Sequence, residues 1–146
     1  MSLSNAAETA ILNLLFNNSN YSNIGDATGL RGSTTAGVFY ISLHTADPGE
    51  AGSQNTNETT VGGYSRVSVV RTSSGFTVSG NSATNTAVIT FPQVTSGSAT
   101  LTHFGIGTDA TLAGNLLLSG ALTASLAVSA GITPSFAIGQ LSVTAD

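Results

Sequence analysis

The sequence contains no cysteine, no lysine and no tryptophan, and only 7% of its residues are charged. Without cysteine, disulfides and thiolate zinc sites are excluded. An average soluble domain is about one-quarter charged, so the surface here must consist mainly of uncharged groups. The cations are Arg31, Arg66 and Arg71. Three scattered arginines cannot form the basic cluster that phosphates or anionic lipids attract, so we expect neither nucleic acid nor a membrane as a partner.

The residues that are present indicate a folded protein. The chain has 146 residues, of which 40% are hydrophobic, and its mean hydropathy is +0.26. Disordered chains combine low hydrophobicity with high charge, which is the opposite pattern. A surface of Ser, Thr, Asn and Gly is weakly protected against association. We therefore expect a protein that packs against neighbouring subunits, with neither a signal peptide nor a membrane span.

The N-terminal segment is the one helical prediction. Asn5 is the predicted N-cap, and Glu8 three residues later completes a capping box. Asn17 and Asn18 are expected to end the helix. A short helix with one apolar face is stable only when docked, either on its own domain or on a neighbouring subunit. The predicted apolar stripe has helical spacing and consists of Ala7, Ala10, Ile11, Leu14 and Leu15.

After residue 37 the apolar period changes from that of a helix to two, which predicts strands. Short stretches rich in Val, Ile and Thr alternate with Gly, Ser and Asn punctuation. The predicted strands are 38–45, 64–71, 75–79, 87–91, 99–106, 115–122, 126–128, 135–138 and 141–144. This pattern favours a mainly all-β fold, an antiparallel β-sandwich of jelly-roll type with one short N-terminal helix. We expect one domain over residues 1–146, with 1–37 forming the helix and an arm or loop.

Specific turns and core positions follow from the same pattern. A structural turn is predicted after the first strand, at Asp47, Pro48, Gly49 and Glu50, because Pro presets φ and Gly accepts positive φ. Residues 132–144 are predicted to form a closing hairpin that turns at Gly139 and Gln140. The side chains of Val69, Val88 and Ile89 are expected inside the sandwich.

Several patterns resemble chemical sites, and each has a simpler interpretation. His44 with Asp47 and Glu50 offers metal-ligating atoms. No second histidine or carboxylate pair accompanies them, so we predict that His44 hydrogen-bonds the turn that follows its strand. Asp47, Glu50 and Glu58 share one loop region, where two carboxylates of a glycosidase could meet. Loop acids that only solubilise are the commoner case.

Two further patterns point to catalysis or a cofactor. A serine nucleophile could pair with His44 or His103, but the chain has no G-x-S-x-G elbow. Residues 105–110 match the glycine spacing of a dinucleotide site, although no helix is predicted after them to hold a pyrophosphate. We therefore predict no enzyme activity, no cofactor and no metal site.

Motifs along nearly the whole chain resemble a family of short virion structural proteins of tailed bacteriophages. Their members are commonly labelled tail fibre or minor structural proteins. The most specific piece is SLHTADPGE at residues 42–50. The other pieces are LSNAAETA at 3–10, GYSR at 63–66, HFGIG at 103–107 and the segment 134–144. The resemblance implies a component of the virion, made in the bacterial host cytoplasm, and carries over no catalytic residue.

Because the chain has no shaft, heptads or repeat, the sequence favours a compact block over a long fibre. We expect a capsid decoration or cement protein that binds the phage major capsid protein at the capsid surface; the alternative is a tail fibre or tail-tip protein that contacts tail proteins. By analogy with other virion β-proteins, the chain is expected to form a homotrimer. The candidate intersubunit contacts are Ile11, Leu14, Leu15, Val38 and Tyr40.

Overall fold

The computed structural model describes residues 2–145, which form one α-helix and nine β-strands. In chain order these are α1 (Asn5–Asn17), β1 (Val38–His44), β2 (Val67–Val70), β3 (Phe76–Ser79), β4 (Ser82–Asn85), β5 (Ile89–Thr90), β6 (Ser98–Gly107), β7 (Leu116–Ser129), β8 (Ser135–Phe136) and β9 (Ser142–Thr144). The sheets have the orders β2-β1-β6-β7, β3-β4-β9 and β5-β8. The mainly β fold with one short N-terminal helix is confirmed, and its antiparallel pairings are consistent with a β-sandwich. The jelly-roll topology stays a prediction.

The chain folds into two compact units that are each discontinuous in sequence. The first contains residues 2–38, 70–89 and 136–145, and the second contains 39–69 and 90–135. The prediction of one domain, with 1–37 as helix and arm, stays a prediction, and its end residues 1 and 146 lie outside the described residues. No helix in the described part of the chain is long and apolar enough to cross a membrane.

In the first unit, the helix begins one residue earlier than its predicted cap. Ser4 is the N-cap, in extended conformation, and its side chain accepts a hydrogen bond from the backbone N–H of Ala7 at 3.3 Å. Asn5 is already helical, so its predicted capping role is wrong. The predicted end is confirmed, because Asn18 adopts the left-handed conformation at φ 55° and closes the last turn.

The buried face of α1 differs from the predicted stripe. Leu12 and Phe16 are 3% and 0% exposed, whereas Ile11 is 37% exposed and Leu14 and Leu15 are half-buried. The ring of Phe16 packs edge-to-face on Phe76 of β3, with 4.7 Å between centroids. This aromatic contact fixes which face of α1 is buried. The predicted apolar stripe therefore lies at the edge of the buried face.

The sheet of the first unit contains a strand that the sequence pattern did not predict. β4 has the sequence Ser-Ala-Thr-Asn, without a large apolar residue, and it pairs with both β3 and β9. The predicted turn at Gly139 and Gln140 is present, but the two arms of the closing hairpin predicted over 132–144 do not pair, because β8 pairs with β5 and β9 pairs with β4. Val88, expected inside, is 54% exposed, whereas Ile89 is 4% exposed as expected and Val69 is half-buried.

Asn85 explains why the C-terminal segment joins β4 rather than folding on itself. Its side-chain amide donates to the carbonyls of Ala87 and Ala137 at 2.7 and 2.9 Å, and its Oδ1 accepts from the N–H of Leu141 at 2.9 Å. Its own carbonyl accepts from the N–H of Gly139, which has φ 74°. Asn85 is 1% exposed, so these bonds fasten residues 137–141 against β4 away from water.

The second unit is built on β1 and β6. Ile41 pairs with Ile106 and Leu43 with Phe104, and all four side chains are buried. Phe39, Ile41 and Leu43 alternate along the first strand and are buried, and Ser42 and His44 on its other face are buried as well. The segments 115–122 and 126–128 form one strand, β7, rather than two.

We expect the Asn85→Ala variant to lower the free energy of unfolding by about 3 kcal/mol, because several buried backbone groups lose their partner. Urea unfolding of the full chain measures this. The matched control is Asn81→Ala, since Asn81 is exposed and the structure gives its side chain no hydrogen bond. Equal midpoints for the two variants would contradict the role given to Asn85.

Candidate functional site

The second unit contains an ion pair between Glu58 and Arg66 that lies beneath an exposed cleft. Arg66 Nε donates to Glu58 Oε1 at 2.8 Å, and Arg66 Nη2 donates to Oε2 at 2.7 Å. The side chains of Arg66 and Glu58 are only 3% and 13% exposed. Glu58 is positioned by a single β-bridge to His44, the last residue of β1, and Arg66 directly precedes β2. The pairing is thus bidentate, which is the strong form of a carboxylate–guanidinium contact.

Tyr64 completes the surroundings of the carboxylate. Its hydroxyl donates to Glu58 Oε1 at 2.8 Å and accepts from the backbone N–H of Leu43 at 3.0 Å. Its ring stacks on Phe91, with centroids 6.1 Å apart. Burial raises the pKa of Tyr64 far above its ordinary value, and the hydrogen bond to Glu58 raises the pKa of Arg66. The phenol therefore stays protonated and the guanidinium stays charged at any physiological pH.

Arg66 also holds the loop between β6 and β7. Its Nη1 donates to the carbonyl of Asp109 at 2.8 Å, and its Nη2 donates to the carbonyl of Leu112 at 2.7 Å. Leu112 has φ 63°, a conformation that costs energy for a leucine, and it is 83% exposed. One guanidinium thus fixes a loop whose tip carries a large apolar side chain into solvent.

Gln54 holds the same loop from the other side. It is fully buried, its Nε2 donates to the carbonyl of Tyr40 at 3.0 Å, and its Oε1 accepts from the N–H of Asp109 at 3.2 Å. Its backbone N–H donates to the carbonyl of Ala113 at 2.7 Å. Gly114 has φ 55°, and a Cβ there would lie 2.7 Å from Gln54 Oε1, so this position requires glycine.

His44 and Ser42 form a buried pair beside this network. His44 Nδ1 lies 2.8 Å from the carbonyl of Thr56, and Nε2 lies 2.8 Å from Ser42 Oγ. Because a carbonyl only accepts, Nδ1 carries the proton and Nε2 accepts from the serine hydroxyl. The Ser–His contact resembles that of a nucleophile and its base, but both residues are 0% exposed and Nδ1 faces a carbonyl rather than a carboxylate. The pair links β1 to the following loop, in line with the simpler interpretation of His44.

An open cleft of about 310 Å³ lies over the ion pair. It is lined by Asn55, Glu58, Thr59, Thr60, Val61, Tyr64, Ser65, Arg66, Ala110, Thr111 and Leu112. Since Glu58 and Arg66 neutralise each other, the lining offers hydroxyls, one amide and the apolar side chains of Val61, Ala110 and Leu112. This arrangement suits neutral contact with another surface, and it brings no two uncommitted carboxylates together.

The other predicted acids lie in exposed positions. Gly49 has φ 70°, and its N–H donates to Asp47 Oδ1 at 2.9 Å, while Pro48 is buried and Glu50 is exposed. In the described part of the chain, no group of three or more His, Asp or Glu side chains is placed to hold a metal ion. Asp47 and Glu50 therefore sit where a structural turn was predicted, with Glu58 committed to Arg66.

The candidate intersubunit residues fall into two places. Ile11, Leu14 and Leu15 line a smaller pocket of about 240 Å³ in the first unit, together with Arg71. Arg71 Nε donates to the carbonyl of Leu15 at 2.7 Å, so its guanidinium covers the C-terminal end of α1. Val38 and Tyr40 are half-buried in β1. The role of these five residues in contacts between subunits stays a prediction.

The sequence does not predict that Gln54, Tyr64 and Arg66 belong to one network. The small number of charged residues could have pointed to the ion pair of Arg66. In a chain with three arginines, an arginine that directly precedes a strand near a loop glutamate is a candidate ion pair. Gln54 had no such signal, because a buried glutamine is recognised only from its partners.

Comparison with known protein families identifies the chain. A family model described as podophage GP4 fiber I protein gp80 matches residues 2–144. The chain belongs to this Gp80 family. A comparison with curated proteins gives no match. Membership confirms the resemblance to phage virion proteins, and it establishes a virion structural protein of a short-tailed phage family.

For this Gp80-family chain, we expect the Glu58→Gln variant to lower the free energy of unfolding by about 3 kcal/mol, because it leaves the buried guanidinium of Arg66 without a countercharge. Chemical denaturation monitored by circular dichroism measures the change. Glu50→Gln removes the same charge from an exposed turn and should stay within about 0.5 kcal/mol of the wild type. A result in which both variants match the wild type would refute the stabilising role of the pair.

A pH dependence follows from His44, whose pKa is lowered from 6.5 mainly by burial. The unfolded chain then binds a proton at a higher pH than the folded chain does, so stability is full above about pH 6.5 and falls as the pH drops toward 5. Thermal melts between pH 7 and about pH 5 should show this loss in the wild type. The His44→Asn variant keeps a donor near Thr56 and should show a flatter profile; identical slopes would contradict the assignment.

Proposed function

We propose that this chain is a non-enzymatic subunit of a phage tail fibre that acts by adhesion. The observation that carries the proposal is the match of the Gp80 family model, described as a fiber protein, to residues 2–144. Because that match spans nearly the whole chain, it favours a fibre over the capsid decoration role that the sequence alone favoured.

The geometry of the second unit supports adhesion through preformed loops. Arg66 and Gln54 fix the loop that carries Leu112, so ordering it against a partner costs little entropy. The cleft beside it is neutral and rich in hydroxyls. A surface with few charges can be buried against a partner without desolvating many of them. Repetition of such modest contacts in an oligomer gives firm attachment.

The partners under this proposal are other copies of the chain and proteins of the tail. The homotrimer rests on analogy with other virion proteins and stays a prediction. The alternative is capsid decoration, with the major capsid protein as partner. The copy number of the chain per virion distinguishes the two roles.

Copy number per virion tests the proposal. We expect quantitative mass spectrometry of purified virions to give a number of chains that is a small multiple of the symmetry of the tail, and we expect antibody labels at the tail in electron micrographs. The major capsid protein and one tail protein of known stoichiometry serve as internal standards. A near-stoichiometric ratio to the capsid protein, with labels over the head, would overturn the fibre proposal in favour of decoration.

A further inference from the structure

Strand β7 (Leu116–Ser129) forms an edge of the four-stranded sheet β2-β1-β6-β7. One side of β7 pairs with β6, from Gly107↔Leu116 to Ser98↔Ser129. In the part of the chain that the structure describes, no strand pairs with its other side. With 14 residues, β7 is the longest strand of the described chain, and its outer edge presents a row of backbone donors and acceptors.

The edge lacks most of the devices by which proteins prevent strand pairing. Such devices include charged side chains, proline, very short edge strands and bulges, and of these β7 has only the irregularities in its register with β6. β7 contains no charged residue and no proline, and the whole stretch 110–145 is uncharged. The opposite edge is different, because β2 has only four residues and lies between Arg66 and Arg71. The open edge of β7 is therefore the one suited to pairing with another strand.

The sequence of β7 is complementary to itself. In a two-fold antiparallel contact, residues that face each other lie on the same face of the joined sheet, and the central residue faces its own copy. A contact centred on Ser119 places Leu117 opposite Ala121 and Leu118 opposite Gly120. These two leucines each meet a small residue, whereas Leu116 lies opposite Leu122, and Leu117 is 41% exposed in the single chain.

Two irregularities of the β6–β7 register flank the centre of this contact. Residues 122–125 of β7 lie opposite the single residue 102 of β6, and Leu117 has no counterpart between Gly107↔Leu116 and Ile106↔Leu118. A bulge bends its strand and increases the local twist. The regular part of the edge is thus residues 118–121, which contains the proposed centre at Ser119.

We propose that β7 pairs antiparallel with β7 of a second copy, centred on Ser119, and joins two four-stranded sheets into one. A second copy is the favoured occupant because it supplies a strand of matching length, without charge, whose Ala121 and Gly120 face Leu117 and Leu118. This contact is two-fold and does not depend on whether the protein lies in the tail or on the head.

A charge at the centre of the contact tests the proposal on the full chain. In the Ser119→Lys variant the two ammonium groups would face each other, so we expect the dissociation constant of the dimer to rise by about tenfold or more in sedimentation equilibrium. Ser73→Lys adds the same charge at an exposed turn of the other unit and should associate like the wild type. A wild-type chain that stays monomeric, or a Ser119→Lys variant that associates equally well, would overturn the proposal.

Cysteine cross-linking tests the register of the contact, and it does not depend on the folding of the lysine variant. Since the chain has no cysteine, Ser119→Cys introduces a single thiol. Facing positions of antiparallel strands bring Cβ atoms close enough for a disulfide. We expect Ser119→Cys to give a disulfide-linked dimer on mild oxidation and Ser73→Cys to give none. A mixture of Leu117→Cys and Ala121→Cys should cross-link mainly between the two variants. A trimer without the Ser119 cross-link, or cross-linking only to other virion proteins, would refute the β7–β7 contact.

Discussion

The Glu58–Arg66 pair is the contact on which the second unit depends. A bidentate ion pair with side chains 3% and 13% exposed costs desolvation energy that only complete hydrogen bonding repays. Here the carboxylate also accepts from Tyr64, and the guanidinium also donates to the carbonyls of Asp109 and Leu112. The pair therefore joins the loop after β1, the start of β2 and the loop after β6. In a chain with so few charges, this one pair orders three separate segments of the unit.

In the first unit, too, single polar side chains order several backbone segments, and most of them are uncharged amides. Asn85 binds four backbone groups of its own unit with its side chain and carbonyl. Arg71 covers carbonyls at the end of α1, and Asn18 closes that helix in the left-handed conformation. Both units thus fix irregular backbone with single polar side chains that reach several carbonyls. This explains how long polar loops are ordered in a protein with no disulfide.

The elements that could be predicted are those whose signal is local. Alternation of Phe39, Ile41 and Leu43 defines β1, and helical spacing defines α1. The face of α1 could not be derived, because the contact of Phe16 with Phe76 is distant in sequence. β4 escaped detection because Ser-Ala-Thr-Asn has no apolar alternation, and the partner of β9 is chosen by Asn85. Of the candidate site, Glu58 was noticed as an acid, but its partner and the role of Gln54 follow only from tertiary structure.

The hydrogen bonds of the arginines affect how the folded chain resists proteolysis. Proteases of trypsin type cut only after lysine or arginine, and this chain has no lysine. The guanidinium groups of Arg66 and Arg71 are bound to several acceptors each, whereas Arg31 is exposed in the loop that follows α1. Attack on the folded chain is thereby restricted to the segment near Arg31, and the strands of both units after Arg71 offer such enzymes no cleavage site. For trypsin-type enzymes, Arg31 is therefore the exposed cleavage site of the folded chain.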